Sequence, residues 1–230
     1  MDTLLTGSSK KAARIITTKI LICLRLRHLY STSYEKILDI ESRFEYNYIM
    51  NLFYLDKDLD KCAEYHVDKH VNKMILEAAQ LLCTAIWVDR LLGFIPRALE
   101  KDEAAVLNEY KKVEKPLKPE ERKLTPYLGM MYNHPCTIWT RSSLDNYEWT
   151  WCYAHALAEE FRYRYGKEHK SFWQVINKLP DPINIERVGF TTFGLAMPDV
   201  LKNYDDPIQS YRDYYHLDKA TFASWSHRPT

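Results

Sequence analysis

The chain has six glycines in 230 residues, and its long segments lack the alternation of apolar and polar residues that marks half-buried strands. The shortage argues against a β architecture. Its five cysteines are odd in number, scattered and never in a Cys-x-x-Cys pair, so neither a disulfide framework nor a cysteine-based zinc site is signalled. A reducing compartment is the default. No apolar run approaches the ~20 residues needed to span a bilayer, and no membrane partner is expected. A net charge of +1 leaves no global field that would advertise nucleic acid, so any basic surface must be local. What the chain does have is aromatic residues, 17 tyrosines and six tryptophans among them, set in segments of helical period. The fold class that follows is mostly α: a single compact helical domain with a short N-terminal arm or strand after Met50.

Residues 1–49 differ from the rest. From Thr3 to Ser33 there is no acidic residue, while Lys10, Lys11, Arg14, Lys19, Arg25 and Arg27 recur among Ile, Leu, Ser and Thr. This composition suits a dispensable basic leader, with a targeting segment or an integral helix as alternatives. The expected location is the cytoplasm, or the nucleoid or host cytoplasm for a viral chain; organelle targeting by residues 1–49 is the other reading. After Met50, Asn51-Leu-Phe-Tyr-Leu reads as a strand or extended arm. Asp56, Asp58 and Asp60 supply cap and first-turn carboxylates for a helix expected from about Lys61 to Arg90. Residues 96–130, with Pro96, Pro116 and Pro119 among many charges, read as a surface connection holding one exposed helix. Asn133-His134-Pro135 predicts a fixed turn ahead of a helix that runs from about Thr137 or Ser142 to Tyr165, with Gly166 as its C′ residue. A short helix over Ser171 to Lys178, another opened by Asp206-Pro207, and a last one reaching Trp225 complete the expectation.

The first long helix carries the densest chemistry. At ~100° per residue, His66, Lys69, His70, Lys73, Glu77 and Gln80 fall on one stripe, Val67, Val71, Met74, Ile75, Ala78, Leu82 and Ala85 on another face, and Tyr65, Asn72, Ala79 and Cys83 on a third. Packing on two sides with a polar stripe left over describes a cleft wall; an ordinary solvated face is the plain alternative. His70, Lys69, Lys73 and Glu77 are therefore the catalytic candidates for acid–base or imine chemistry on an anionic substrate. His66 and His70 at i and i+4 also have zinc-ligand spacing, but valine stands where a metalloprotease has glutamate, and Lys69 and Lys73 would crowd a dication. No metal and no cofactor are expected, and a metal-dependent hydrolase centred on His66 and His70 is kept as an alternative.

His134, on its turn, is the fifth catalytic candidate, with a purely structural role as its alternative. Arg141 follows it in the next helix as a phosphate contact. Arg162, Arg164, Tyr165, Lys167, His169, Tyr211 and Arg212 interleave cations with rings, a pattern that suits single-stranded or flipped nucleotides. Tyrosine at this density is equally at home in a core.

From Met50 onward, Asn51-Leu-Phe-Tyr-Leu55, His66-Val-Asp-Lys-His70-Val-Asn-Lys-Met74, Asn133-His-Pro-Cys136, Arg162-Tyr-Arg-Tyr-Gly166-Lys and Phe193-Gly-Leu-Ala-Met-Pro198 resemble small phage-encoded proteins. More distantly, the order of apolar run, His/Lys/acid stripe, Asn-His-Pro turn and helix ending near Tyr-Gly is similar to pyrimidine-dimer DNA glycosylases of the endonuclease V type, over about half of the chain after Met50. Those are small all-α enzymes that flip a nucleotide, attack its sugar with the α-amino group at the chain start, and use a glutamate on the first helix. The resemblance implies DNA or a nucleotide as partner, an amine at Met50 or Asn51, and either Glu64 or Glu77 as the glutamate. The reading that follows is a nucleic-acid-processing enzyme, a lesion-directed glycosylase/lyase; the alternative from another class is a non-catalytic nucleic-acid-binding accessory protein. No protein partner is inferred.

Overall fold

In the computed structural model, the described residues are 51–219, 223–226 and 228. The chain enters as an extended arm over residues 51–55, in which Leu52, Phe53 and Leu55 are buried. Six α-helices follow: α1 (Leu59–Tyr65), α2 (Asp68–Leu92), α3 (Lys101–Glu114), α4 (Pro135–Arg141), α5 (Leu144–Tyr165) and α6 (Pro207–Tyr214). Single turns of 3-10 or π helix stand at Pro119–Glu121, Ser171–Val175, Ile176–Lys178, Asp199–Leu201 and Tyr215–Lys219. The mostly α reading holds, and no strand occurs among the described residues.

Local chemistry sets most helix starts. Asp58 Oδ1 accepts from the Asp60 and Lys61 amides at 3.0 and 3.3 Å, which opens α1. Ser143 Oγ accepts from Asp145 N at the head of α5, and Asp206 Oδ1 from Gln209 N at the head of α6, with Pro207 in the first turn. Glu103 reaches back to the Glu100 amide at 2.7 Å, half of a capping box for α3.

One expected helix, Lys61 to Arg90, is two. The chain leaves helical geometry at His66 and Val67 (ψ 133° and 154°) and resumes at Asp68. The interruption frees carbonyls, and tertiary partners take them: Arg164 on α5 donates to Glu64 O and His66 O, and the His66 ring bonds to Cys62 O. Of the two starts open for the helix ending at Tyr165, the one near Ser142 is close to α5, and a separate α4 precedes it, divided from it at Ser142–Ser143. Residues 223–226 are not helical, so the last expected helix stops short of Trp225.

Helix α2 is the hub. It packs against α5, α4, α3 and the Ser171–Val175 turn, and its residues from Leu81 to Val88 are fully or almost fully buried. The stretch expected to be a surface connection contributes to the interior: Leu107 of α3 is completely buried against Val88 and Leu99, and Trp87 meets Tyr110 edge-on. A second extended buried run, Phe193 to Met197, lies beside the arm. Its Gly194 is pressed on α4, where a Cβ would fall 2.7 Å from Pro135 O. No larger residue fits there without moving the backbone.

The described residues belong to one compact unit, residues 50–230. Residues 1–49, read above as a leader, lie outside the described residues. Among the described residues no helix is long and apolar enough to cross a membrane.

Candidate functional site

Asn51 is the most heavily tethered residue of the arm. Its Nδ2 donates to Ala196 O at 2.8 Å, and its Oδ1 accepts from Leu52 N and Tyr211 Oη, each at 2.8 Å, with Cys136 Sγ 3.8 Å away. Three residues distant in sequence, Ala196, Tyr211 and Cys136, thus converge on one amide. Its backbone nitrogen donates to Glu77 Oε2 at 2.7 Å, and Glu77 is buried on α2. Lys73 Nζ lies 3.2 Å from the other carboxylate oxygen, one turn earlier. This contact is an i,i+4 ion pair with a lysine that is more than half exposed. A buried carboxylate therefore bridges the start of the arm to an ammonium at the surface. Burial pushes the neighbouring Cys136 thiol up to about 12 and the Tyr211 phenol well above its ordinary value, so both are neutral hydrogen-bond donors here.

One step along the arm, Phe53 sits in a box of rings. It stacks on His70 at 4.7 Å and meets Tyr215 edge-on at 4.9 Å, with Tyr211 and Tyr214 at 5.6 and 5.9 Å. His70 Nδ1 is 2.5 Å from Tyr215 Oη. His66 is wholly buried; desolvation lowers its pKa to about 4 and keeps it neutral. A carbonyl can only accept, so the Nδ1 facing Cys62 O carries the proton and Nε2 accepts from Tyr153 Oη at 2.9 Å.

The structure sorts the expected site residues into three groups. Glu77, Lys73 and His70 line the start of the arm, while Lys69 is exposed on the first turn of α2. The continuous stripe is corrected, because the break at His66–Val67 takes His66 off it. With both His66 nitrogens engaged elsewhere, the i,i+4 zinc geometry on one helix is absent, and no cluster of three or more metal-ligating side chains occurs among the described residues.

Four other candidates hold the fold together. His134 is the N-cap of α4, its Nδ1 accepting from Cys136 N, and desolvation lowers its pKa to about 4. Asn133 beside it exchanges two hydrogen bonds with the Leu99 backbone. Arg141, expected at a phosphate, is buried and donates to the carbonyls of Ile95, Tyr132 and Arg97 at 2.9, 2.6 and 2.5 Å; burial lowers its pKa to about 10. Arg164, also expected at a phosphate, is buried between Glu160 and Asp68 while it caps the helix break. Tyr211, expected to stack on a base, has no exposed surface and holds Asn51. Each is spent on backbone or carboxylate groups that its burial would otherwise leave unsatisfied.

The third group stays at the surface. Arg162 pairs with Glu159, Lys167 lies over Phe161, His169 bonds Asn72, and the half-buried Tyr165 donates to Asp68 O. Arg212 is fixed by Leu55 O and Asp56 with its guanidinium over the Tyr65 ring.

The resemblance marks only the Asn51 nitrogen; the tethering of the Asn51 side chain and the part of Cys136 in it have no signal in the sequence beyond a polar residue heading an otherwise apolar run. Compared with models of protein families, with curated proteins and with solved structures, the chain matches none.

Proposed function

We propose that the protein is a nucleic-acid-processing enzyme of the glycosylase/lyase type, acting on a flipped nucleotide in DNA, with Glu77 as its acid–base group. The observation that carries this reading is the 2.7 Å contact between the Asn51 backbone nitrogen and buried Glu77 Oε2. In the enzymes that the sequence resembles, an amine at the chain start works beside a glutamate on the first helix. Here a carboxylate from the long helix touches the nitrogen that begins the arm. Of the two glutamates left open by the sequence, Glu77 has this contact; Glu64 faces Arg228 at 3.2 Å.

With residue 50 attached, the Asn51 nitrogen is an amide and forms no imine. The reading therefore assigns lyase chemistry to a form of the protein that begins at Asn51. The amine lone pair attacks C1′ of the sugar, the glycosidic bond breaks with its electrons leaving on the base, and solvent protonates the departing base. Glu77 takes one amine proton and returns it to the ring oxygen as the sugar ring opens, which leaves the protonated imine.

The test is borohydride trapping on a duplex carrying an abasic site, using the full chain and chains beginning at Met50 and at Asn51. The chain beginning at Asn51 should leave a covalent adduct. Glu77→Gln, which keeps size and removes one charge, should reduce adduct yield by about 100-fold while affinity for the duplex changes less than about twofold. No adduct and no strand cleavage from any of the three forms would rule the reading out and put the non-catalytic binding module ahead.

A further inference from the structure

One turn beyond Glu77 on α2, Gln80 forms part of the wall of a cavity of about 260 Å³ whose other sides are Lys111, Arg122, Tyr127, Leu128 and Met130. The cavity is rigidly framed. Thr84 Oγ1 donates to Gln80 O at 2.7 Å and accepts from Met130 N at 3.1 Å, tying residues 127–130 to α2. Trp87 Nε1 donates to Thr125 Oγ1, which donates in turn to Tyr127 O, and Tyr127 Oη meets Ser171 Oγ at 2.9 Å. Gly129 lies so close on the indole that a Cβ would sit 2.9 Å from Trp87 Cδ2. These contacts hold the walls apart at a fixed spacing rather than letting them collapse.

The lining has two cations and no carboxylate. Lys111 Nζ, half-buried, donates to Gly129 O at 2.7 Å, and Arg122 Nη1 donates to Pro126 O. Neither pairs with an acid among the described residues. Of the acids nearby in sequence, Glu121 accepts from the Lys118 amide, Glu109 pairs with Lys112, and Glu114 accepts from the Lys123 amide. Arg122 Nε is buried and has no hydrogen-bond partner among the described residues. A guanidinium donor withdrawn from water without an acceptor is costly, and two uncompensated cations around one cavity raise its potential. An oxyanion in the cavity supplies the compensating charge and several acceptors for the Lys111 ammonium and the Arg122 guanidinium at once.

We propose that this cavity is a phosphate-binding site, with Arg122 and Lys111 as the charged ligands and the Gln80 amide as a neutral donor. It does not depend on the Glu77 reading, since its residues take no part in the imine chemistry. The phosphate has two chemical sources, a free phosphate or mononucleotide and the backbone of a single-stranded nucleic acid.

The experiment is calorimetric titration of the full-length protein at low ionic strength with inorganic phosphate, with a 5′-deoxymononucleotide and with a short single-stranded oligonucleotide. Saturable binding of at least one is expected. Arg122→Gln and Lys111→Gln should each weaken it about tenfold, Lys111→Arg should retain it, and an Arg→Gln or Lys→Gln change on an exposed site such as Lys57 should leave it unchanged. For the oligonucleotide, each loss should also lower the slope of log K against log salt by about one charge. Binding by the oligonucleotide far above the mononucleotide identifies the backbone as the source; equal binding identifies the free phosphate. A phosphate-induced rise in the melting temperature of the wild type, absent in both Gln variants, covers the case in which a variant is too unstable for titration. Failure of all three ligands to bind, or binding indifferent to both substitutions, overturns the proposal. Trapping in the Glu77 experiment bears on neither outcome.

Discussion

At the scale of single residues, the most informative groups are charged or titratable side chains taken out of water. His66 and His134 both have pKa values lowered to about 4 by burial, against 6.5 for a free imidazole. A group whose folded pKa lies below its unfolded one binds more protons when unfolded, so its contribution to stability is complete above pH 6.5 and is lost as pH falls toward 4. Each histidine then removes about 2 kcal/mol of stability between pH 6.5 and 4.5. Denaturant titrations across that range should show the loss. His134→Asn is the sharper check, because asparagine keeps the N-cap acceptor for Cys136 N and removes the titration. Its stability at pH 7 should stay within about 1 kcal/mol of wild type, and its decline toward pH 4.5 should be roughly half as steep. An unchanged pH slope would mean that His134 is not desolvated in the folded protein. The candidate chemistry was partly legible at this scale: Glu77, Lys73 and His70 stand out as chemical residues at helical spacing. Asn51 does not, because its environment is built by Ala196, Tyr211 and Cys136, far along the chain.

At the scale of elements, the caps were readable and the interruptions were not. Asp58 and Asp206-Pro207 act on amides two or three residues away, so their effect is written locally. The break between α1 and α2 contains neither glycine nor proline, and periodicity runs straight through it. It persists because Arg164, about a hundred residues away, supplies donors to Glu64 O and His66 O, and joins Asp68 to Glu160. Removing that side chain leaves two largely buried carboxylates and two carbonyls short of a partner. Arg164→Ala should therefore destabilise the protein by about 3–5 kcal/mol, and Arg164→Lys should restore little of it, since an ammonium lacks the planar fork that reaches all four groups. Equilibrium unfolding measures this. A variant as stable as wild type, with weakened nucleic-acid binding instead, would return Arg164 to the role its sequence context suggested.

At the scale of the whole molecule, residues 50–230 form their own compact unit, and the contacts among the described residues of the candidate site lie within it. A chain lacking residues 1–49 should unfold cooperatively within a few degrees of the full chain's melting temperature; a loss of helix content beyond that of the removed residues would show that the unit is incomplete without them. The sequence by itself determined the mostly α class, the heads of α1 and α6, and the apolar face that makes α2 central, because hydrophobic period and capping act over a few residues. Only the tertiary structure decided which of the polar residues are scaffold. Arg141, Arg164, Tyr211 and His134 have the composition of a ligand site, yet they serve buried carbonyls, carboxylates and amides. Glu77 becomes a candidate catalyst through one contact with Asn51, 26 residues earlier. Satisfying a buried polar group is a property of its surroundings, and those surroundings are assembled from segments that sequence period does not relate.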